Sequence, residues 1–354
     1  MSIKKTILII FALVFPLLLS GCIQIGESED FGAVFKSLDM GASFAQKALV
    51  STPQQSLVSI SNADVTAMEI DPQDHNAIYI GTLANGLFYS YDGAESWHQA
   101  KDLGNYQISS IAINPDNKCV IYASSFNKIF ISRDCNRTYR EIYNDPRPQA
   151  EITRIAVDFY DPSVVLAGTS NGDILKSQDG GGSWHNLYDF KARIKDILID
   201  RKDSDLIFVA TAKDFYKTAD GGINWESLGD NIREAISKSV SAYVKKIISV
   251  SSPETRALAA LTDKNILVSI DGGNKWSDLK LVTPPGKVKI YSLAINPQNH
   301  REIYYGTATS FVKSADGGKT WTSSELPSAR APVEILVDPA YSNVVYMGMY
   351  KIES

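Results

Sequence analysis

The sequence of 354 residues is poor in the side chains that most often carry chemistry, with three cysteines and four histidines. His75, His98, His185 and His300 are spread along the chain, which favours structural or exposed roles over a metal site. No glycine-rich phosphate loop and no Ser/His/Asp phrase in a recognisable context occurs. We therefore expect neither a bound metal nor a cofactor.

Positive charge is not in excess either, since 35 Lys and Arg residues face 40 Asp and Glu residues, for a formal net charge of −5. This acidic balance argues against nucleic acid as a partner. Long apolar runs are also missing: after the N-terminal segment, the chain has no stretch of 18 consecutive apolar residues. No transmembrane helix is predicted in that part of the chain.

The N-terminal segment predicts export and a lipid anchor. Lys4 and Lys5 precede an apolar stretch at residues 7–19, and residues 19–22 read Leu-Ser-Gly-Cys, which resembles a lipobox. This implies a lipoprotein signal at residues 1–21, a lipid on Cys22 and an anchored linker at residues 22–30. The protein would then lie on the outer face of the cytoplasmic membrane or on the outer membrane. An ordinary signal peptide or an uncleaved anchor is the alternative.

Two further cysteines, Cys119 and Cys135, remain for the exported part of the chain, and they lack metal-ligand spacing. An even pair in an exported domain predicts a disulfide. Two predicted strands at residues 120–125 and 128–133 are joined by a two-residue turn, which places the two cysteines one position away from direct opposition. Two free thiols are the alternative.

What the sequence does contain is one short phrase repeated seven times: Ser/Thr-x-Asp-x-Gly-x-x-aromatic. Clean copies lie at residues 177–184, 218–225, 269–276 and 314–321, with variants at 37–44, 90–97 and 132–139. The aspartates are Asp39, Asp92, Asp134, Asp179, Asp220, Asp271 and Asp316, spaced 41 to 53 residues apart. A period in this range indicates a propeller or another repeat array.

The repeated phrase resembles the Asp-box, also called the BNR repeat, over nearly the whole chain. The resemblance implies an all-β, seven-bladed β-propeller with one box in each blade, here at residues 31–354. Asp and Ser/Thr side chains can bond to the backbone amides of the turn, and the glycines can supply positive φ angles. A calcium or catalytic array is disfavoured because each aspartate serves its own hairpin. Asp-box propellers occur in sialidases, xyloglucan hydrolases, sortilin-type receptors and photosystem II assembly factors, so the fold does not name the function.

The repeats are offset in a way that predicts how the ring closes. The chain begins with an outer hairpin at residues 32–49 and ends with an inner half-blade at residues 333–349. Joining the two completes a seventh blade and removes exposed sheet edges; an open or larger propeller is the alternative. Two long connections, residues 50–64 and 226–243, are either binding loops or decorative insertions. The second is predicted to hold a short helix at residues 232–238.

Aligning the innermost strands brings one column of residues to the channel mouth: Ala67, Ser110, Arg154, Asp196, Lys246, Ser292 and Glu334. One interpretation is a structural ion-pair ring in which Arg154, Asp196 and Lys246 neutralise each other. The other is a binding face for a ligand or partner, with Tyr106, Tyr243, Lys245 and Tyr291 beside the column.

Catalysis finds little support in this column. A glycosidase requires two carboxylates roughly 5–9.5 Å apart, whereas Asp196 and Glu334 are predicted to lie three blades apart. We expect a monomeric, non-catalytic, membrane-tethered scaffold that binds a protein or a glycan at the channel mouth. Its repeat style is similar to that of photosystem assembly-factor and sortilin-like propellers. The alternative is an exported carbohydrate-active propeller, either a glycoside hydrolase of the sialidase or xyloglucanase type or a lectin.

Overall fold

The computed structural model describes residues 30–52, 58–236, 243–249, 257–283 and 287–352. The predicted signal peptide, Cys22 and all of the linker except Asp30 therefore lie outside the described residues. Seven four-stranded antiparallel sheets are arranged as the blades of a propeller, and a two-stranded sheet is added at one side. The predicted all-β, seven-bladed fold is confirmed.

The strands follow each other from the channel outwards in each blade. The chain opens with β1 (Val34–Ser37), β2 (Ala45–Lys47) and a small hairpin of β3 (Leu49–Val50) and β4 (Val58–Ser59). Blade 1 contains β5 (Val65–Ile70), β6 (Ile78–Thr82), β7 (Leu87–Ser90) and β8 (His98–Gln99). Blade 2 contains β9 (Ser110–Ile113), β10 (Ile121–Ser125), β11 (Lys128–Ser132) and β12 (Arg140–Asn144). Blade 3 contains β13 (Ile152–Val157), β14 (Val165–Thr169), β15 (Asp173–Ser177) and β16 (His185–Asp189).

The second half of the chain repeats this order. Blade 4 contains β17 (Ile194–Asp200), β18 (Asp203–Thr211), β19 (Phe215–Thr218) and β20 (Glu226–Ser227). Blade 5 contains β21 (Lys246–Ser249), β22 (Leu258–Leu261), β23 (Ile266–Ser269) and β24 (Ser277–Asp278). Blade 6 contains β25 (Ile290–Ile295), β26 (Ile303–Thr307), β27 (Ser310–Ser314) and β28 (Thr322–Glu325). Blade 7 takes β29 (Ala331–Val337) and β30 (Val345–Tyr350) from the C-terminal region.

Blade 7 is completed by the N-terminal hairpin, as the offset of the repeats predicts. Strand β1 pairs antiparallel with β30, with Val34 opposite Gly348, and β2 forms the outer edge. On the channel side β29 contacts β5 of blade 1, so the innermost strands form a closed ring. Both ends of the chain are thus needed to remove the exposed sheet edges.

The core lies between neighbouring blades. The second strands β6, β10, β14 and β26 are buried along their full length. Each of these strands is covered on both faces by adjacent blades, so the sequence there reads as a continuous apolar run rather than an alternating one. Tyr79, Tyr122 and Tyr304, at matching positions of three second strands, are almost fully buried.

The repeated turns connect the third and fourth strands of each blade, and we call them the box turns. In the first, Ser37 Oγ donates to Asp39 Oδ1 at 2.7 Å and accepts from the Gly41 amide at 2.7 Å. The Ser43 hydroxyl and amide both donate to Asp39, which lowers the pKa of Asp39 to about 2. The same serine or threonine to aspartate bond recurs in the other six turns. Each box aspartate is therefore occupied by its own turn.

Blade 2 keeps this turn without glycine. Cys135 and Asn136 take φ values of 57° and 68°, the left-handed region in which the four clean copies place two glycines. Cys135 forms a disulfide with Cys119, whose Cα lies 3.9 Å away. The register of β10 and β11 is the predicted one, with Ser125 opposite Lys128. The disulfide joins the two sides of the hairpin next to the altered turn.

The connection between blades 4 and 5 contains helix α1 (Gly229–Ala235). The predicted helix at residues 232–238 begins three residues earlier than expected and ends at Ala235, and residues 237 and 238 lie outside the described residues. Its apolar face explains the position: Leu228, Ile232 and Ile236 recur at every fourth residue and are buried beside Trp276 of blade 5. This α-helix has seven residues, and no helix in the described ranges is long and apolar enough to cross a membrane.

The antiparallel order divides the connections between two faces of the ring. The box turns lie on one face. On the other, which we call the mouth face, lie the connections between second and third strands and those that lead into each next blade. Both described chain ends meet on the mouth face, where Asp30 binds Arg330 at 2.8 Å and Lys351 at 2.7 Å.

Candidate functional site

The predicted column on the innermost strands contains a set of braces between blades. The Ser110 hydroxyl accepts a hydrogen bond from the Ile155 amide at 3.0 Å, and Asp196 Oδ2 accepts one from the Ile247 amide at 2.7 Å. In both cases the donor amide belongs to the next blade, to the residue that directly follows that blade's own column residue. Four of the seven column residues, Ala67, Ser110, Asp196 and Ser292, are buried with less than 5 % exposure. These residues therefore hold the ring together.

The charged members of the column form two ion pairs. Arg154 Nε lies 2.8 Å from Asp196 Oδ1, and the charge of Asp196 raises the pKa of Arg154, which is a permanent cation. Lys246 does not join them. Its Nζ bonds instead to Glu334 Oε2 at 2.5 Å, two blades further around the ring. The channel thus contains two separate ion pairs, and Lys246 pairs with Glu334 rather than with Asp196 as the sequence interpretation had it.

Sequence reasoning missed Glu69, the fifth residue of β5, which belongs to the same charged group. Its carboxylate lies 4.0 Å from Arg154 Nη2. Other side chains surround Glu69, yet 36 % of its side chain is exposed to the channel. Burial raises the pKa of Glu69 to about 7; the nearby Glu334 carboxylate adds to this shift and Arg154 opposes it.

A signal for Glu69 was present in the sequence. Two residues beyond the charged column, the other six strands carry Ala112, Ala156, Leu198, Ile248, Ala294 and Leu336. Glu69 is the single charged residue in that second column. A carboxylate in an otherwise apolar column near an arginine is a candidate functional group.

Lysines surround the channel on the mouth face above blades 4 to 6. Lys245 Nζ donates to the Ile290 carbonyl and lies 3.2 Å from Asp263 Oδ1. Burial lowers the pKa of Lys245, while Asp263 raises it and the charges of Lys289 and Lys195 lower it further. Three adjacent blades therefore bring three ammonium groups into electrostatic contact, beside one carboxylate.

Tyr291 lies between two of these lysines. Lys289 Nζ is 5.0 Å from the centroid of its ring and Lys245 Nζ is 5.9 Å from it. The same tyrosine lines a cleft of about 730 Å³ on the mouth face. The remaining lining residues are Asp64, Leu83, Lys289, Tyr350, Lys351 and Ile352. The cleft extends from blade 6 across blade 7 to blade 1.

The two other predicted tyrosines do not belong to this cleft. Tyr106 packs against Phe130 of blade 2 with ring centroids 5.0 Å apart. Tyr243, just before Val244, is 53 % exposed. Of the predicted binding residues, the structure brings together Lys245 and Tyr291 at the mouth and Arg154, Asp196, Lys246 and Glu334 in the channel.

Metal-ligand chemistry finds no support in the described ranges, where no group of three or more His, Cys, Asp or Glu side chains could hold an ion. Two of the histidines have other contacts. His75 Nδ1 lies 3.1 Å from Asp338 Oδ2, and His98 stacks on Tyr89 with ring centroids 5.5 Å apart.

Comparison with known proteins identifies the fold of this chain but does not show its family. No protein-family model matches the chain. A probable oligoxyloglucan-reducing end-specific xyloglucanase from Neosartorya fischeri is 27 % identical over 192 residues, which is 46 % of this chain and 23 % of that protein. The chain therefore spans about a quarter of the length of this curated relative.

Two solved structures share the propeller. A GH74 xyloglucanase from Xanthomonas campestris superposes with a TM-score of 0.66 at 16 % identity, over 81 % of this chain and 51 % of the enzyme. YCF48 bound to D1 peptide superposes with a TM-score of 0.60 at 16 % identity, over 82 % of this chain and 94 % of YCF48. One neighbour is thus an enzyme and the other a peptide-bound protein, and at this identity both establish the β-propeller fold alone.

Proposed function

We propose that this protein is a non-catalytic, membrane-tethered propeller that binds a polypeptide segment on its mouth face. The observation that carries the proposal is the mouth itself: a cleft of about 730 Å³ lined by Tyr291, Tyr350 and two lysines. Tyrosine is enriched at protein-recognition surfaces and often anchors the partner there. The channel carboxylates below it are largely engaged in the ring.

Two further points support a binding role over a catalytic one. Asp196 holds both the Ile247 amide and Arg154, so its two oxygens are occupied by structural partners. Glu334 is bonded to Lys246. In addition, YCF48, whose length is almost fully covered by this chain, is a propeller seen with a bound peptide.

A display library of random short peptides tests the proposal. Full-length protein held in detergent micelles should enrich a family of related peptides, and Tyr291→Ala should weaken their binding about tenfold, as expected for an aromatic anchor. Tyr341→Ala is the matched control, because Tyr341 is an exposed tyrosine near the opposite face. Failure to enrich any peptide above empty micelles would contradict the proposal.

A carbohydrate-active propeller is the second candidate, and Glu69 favours it. A glycosidase acid must be protonated near neutral pH, and the pKa of Glu69 is raised to about 7 beside the Glu334 carboxylate. The relative from Neosartorya fischeri is a probable xyloglucanase. Under this hypothesis Glu69 would donate the proton and Glu334 would be the second carboxylate.

Hydrolysis of xyloglucan oligosaccharides decides between the two candidates. The scaffold proposal predicts no product from wild-type protein above a boiled control. Reproducible hydrolysis that is abolished in both Glu69→Gln and Glu334→Gln would establish the enzyme instead. Glu325→Gln, at an exposed position of β28, is the matched control.

A further inference from the structure

The lysines above blades 4 to 6 carry an inference that rests on the proposed function and specifies its ligand. Lys195, Lys245 and Lys289 come from β17, from the residue before β21 and from the residue before β25. Lys195 and Lys245 directly precede the column residues Asp196 and Lys246, whereas Lys289 lies two residues before Tyr291, the equivalent position in blade 6. The starts of three consecutive first strands therefore bring three cations to one arc of the channel mouth.

The protein itself balances little of this charge. Lys245 has Asp263 at 3.2 Å. Lys195 and Lys289 are exposed, and within the described residues neither forms an ion pair. The positive charges of Lys195 and Lys289 both lower the pKa of Lys245. Arg330, on the same face, is matched in charge, because it binds both Asp30 and Asp64.

The arc also has a defined geometry for a ligand. Lys245 is fixed by the Ile290 carbonyl and by the Tyr291 ring, so its ammonium group is partly desolvated before anything binds. Lys289 lies over the same ring and reaches into the cleft. A negative group placed here would relieve the mutual repulsion of the lysines and meet a cation that has already lost part of its hydration.

We propose that the mouth binds an acidic polypeptide segment, with Asp or Glu carboxylates against Lys195, Lys245 and Lys289 and an apolar or aromatic neighbour in the cleft beside Tyr291. The overall acidity of the chain makes this arc selective rather than generally cationic, since formal net charge is −5. Acidic segments are then attracted to one part of the surface and repelled from most of the rest.

The peptide display experiment tests this through the composition of what it enriches. The recovered peptides should contain more Asp and Glu than the input library. Replacing those acids by Gln or Asn in one recovered peptide should weaken binding at least about tenfold, as should raising salt from about 50 mM to about 300 mM. The double variant Lys195→Glu with Lys289→Glu should lose binding to a similar extent.

Lys275→Glu with Lys319→Glu is the matched control, because it makes the same change of charge at exposed lysines on the box turns of the opposite face. Lys195 and Lys289 are exposed, so an unchanged melting temperature shows that the test variant is folded. Enriched peptides that are neutral or basic, or equal losses in both double variants, would overturn the acidic ligand while leaving peptide binding in place. Binding of a uronate polysaccharide in preference to acidic peptides would also overturn it, and absence of any enriched peptide contradicts the proposed function itself.

Discussion

At the scale of single residues, the channel ring is made of two kinds of group. Asp196 is fixed by a backbone amide and by Arg154, and Glu334 by Lys246. Glu69 has a weaker contact, 4.0 Å from Arg154. The ring therefore holds two fixed carboxylates and one whose protonation can change near neutral pH.

The pH dependence of stability follows from the pKa of Glu69, which is raised to about 7 in the folded protein from 4.5 for the ordinary side chain. The folded state holds this proton more tightly than the unfolded state, so the associated stabilisation is present below pH 4.5 and is lost as pH rises through 7. Glu69→Gln should match wild-type stability near pH 5 and exceed it by about 1 kcal/mol near pH 8, a figure reduced for exposure to channel water.

Urea unfolding at the two pH values measures the difference between the proteins. Glu325→Gln, an exposed change on β28, should give the same difference at both. A gain in Glu69→Gln that does not vary between pH 5 and pH 8 would show that the Glu69 carboxyl keeps its ordinary pKa.

Residue positions were predictable from the sequence where a local rule acts. The box aspartates, the disulfide and the register of β10 with β11 follow from turn chemistry and from the two-residue period of strands. The Lys246–Glu334 pair was not predictable in this way, because its two partners are 88 residues apart and meet by side-chain reach across the channel. Glu69 was missed since its neighbours in sequence are apolar.

At the scale of elements, the N-terminal hairpin acts as two strands of a blade whose other half is more than 280 residues away. Phe35 on β1 is 3 % exposed and packs with Met347 of β30 and with Phe311 of blade 6. Phe44, at the aromatic position of the box turn, meets Phe311 at 5.1 Å. The hairpin therefore fills an interface between blades as well as an edge.

Truncating one side chain tests this role without removing the strand. Phe35→Ala should lower the free energy of unfolding by about 3–5 kcal/mol, the usual cost of emptying a buried phenylalanine site. That loss is a large share of a typical stability of about 5–15 kcal/mol. Denaturant unfolding of the purified protein measures it.

Phe31→Ala is the matched control, because Phe31 precedes the same strand and is 37 % exposed. It should change stability by less than about 0.5 kcal/mol. If the two variants are equally stable, β1 does not carry the packing that closes the ring.

The bounds of helix α1 show how tertiary packing determines where an element begins and ends. From sequence, residues 232–238 are an acceptable helix. In the fold, Leu228 and Ile232 must both reach the pocket formed with Trp276, which moves the start of the helix to Gly229. Tertiary packing here overrides local preference, which is why short helices on long connections are the least predictable elements of this chain.

At the scale of the whole molecule, the fold was predictable because every blade repeats the same signal. The first repeat lacks its inner strands and the last repeat lacks its outer strands, so the ring had to close with both ends of the chain in one blade. The pairing of β1 with β30 confirms this closure. The binding surface was less predictable. Its lysines stand near the starts of the first strands of three blades, but the number that remain unpaired depends on which carboxylates the other loops supply.

A lipid tether at the N-terminus would orient the propeller on the membrane. Asp30, the first described residue, lies on the mouth face with Arg330 and Lys351. If Cys22 carries lipid, as we propose, the eight residues from Cys22 to Asp30 reach at most about 29 Å when extended. The mouth face would then point towards the membrane, and the proposed acidic partner would be a segment close to the bilayer.

Two measurements test this arrangement. Cys22→Ser should move the protein from the membrane fraction to the soluble exported fraction, and a serine variant that stays anchored would refute lipid attachment. In vesicles containing spin-labelled lipid, a fluorophore at Lys289→Cys should be quenched more strongly than one at Lys319→Cys, because these exposed positions lie on the mouth face and on the opposite face. The difference in quenching depends on the short tether, because a propeller free to rotate on a long linker would expose both faces to the lipid equally.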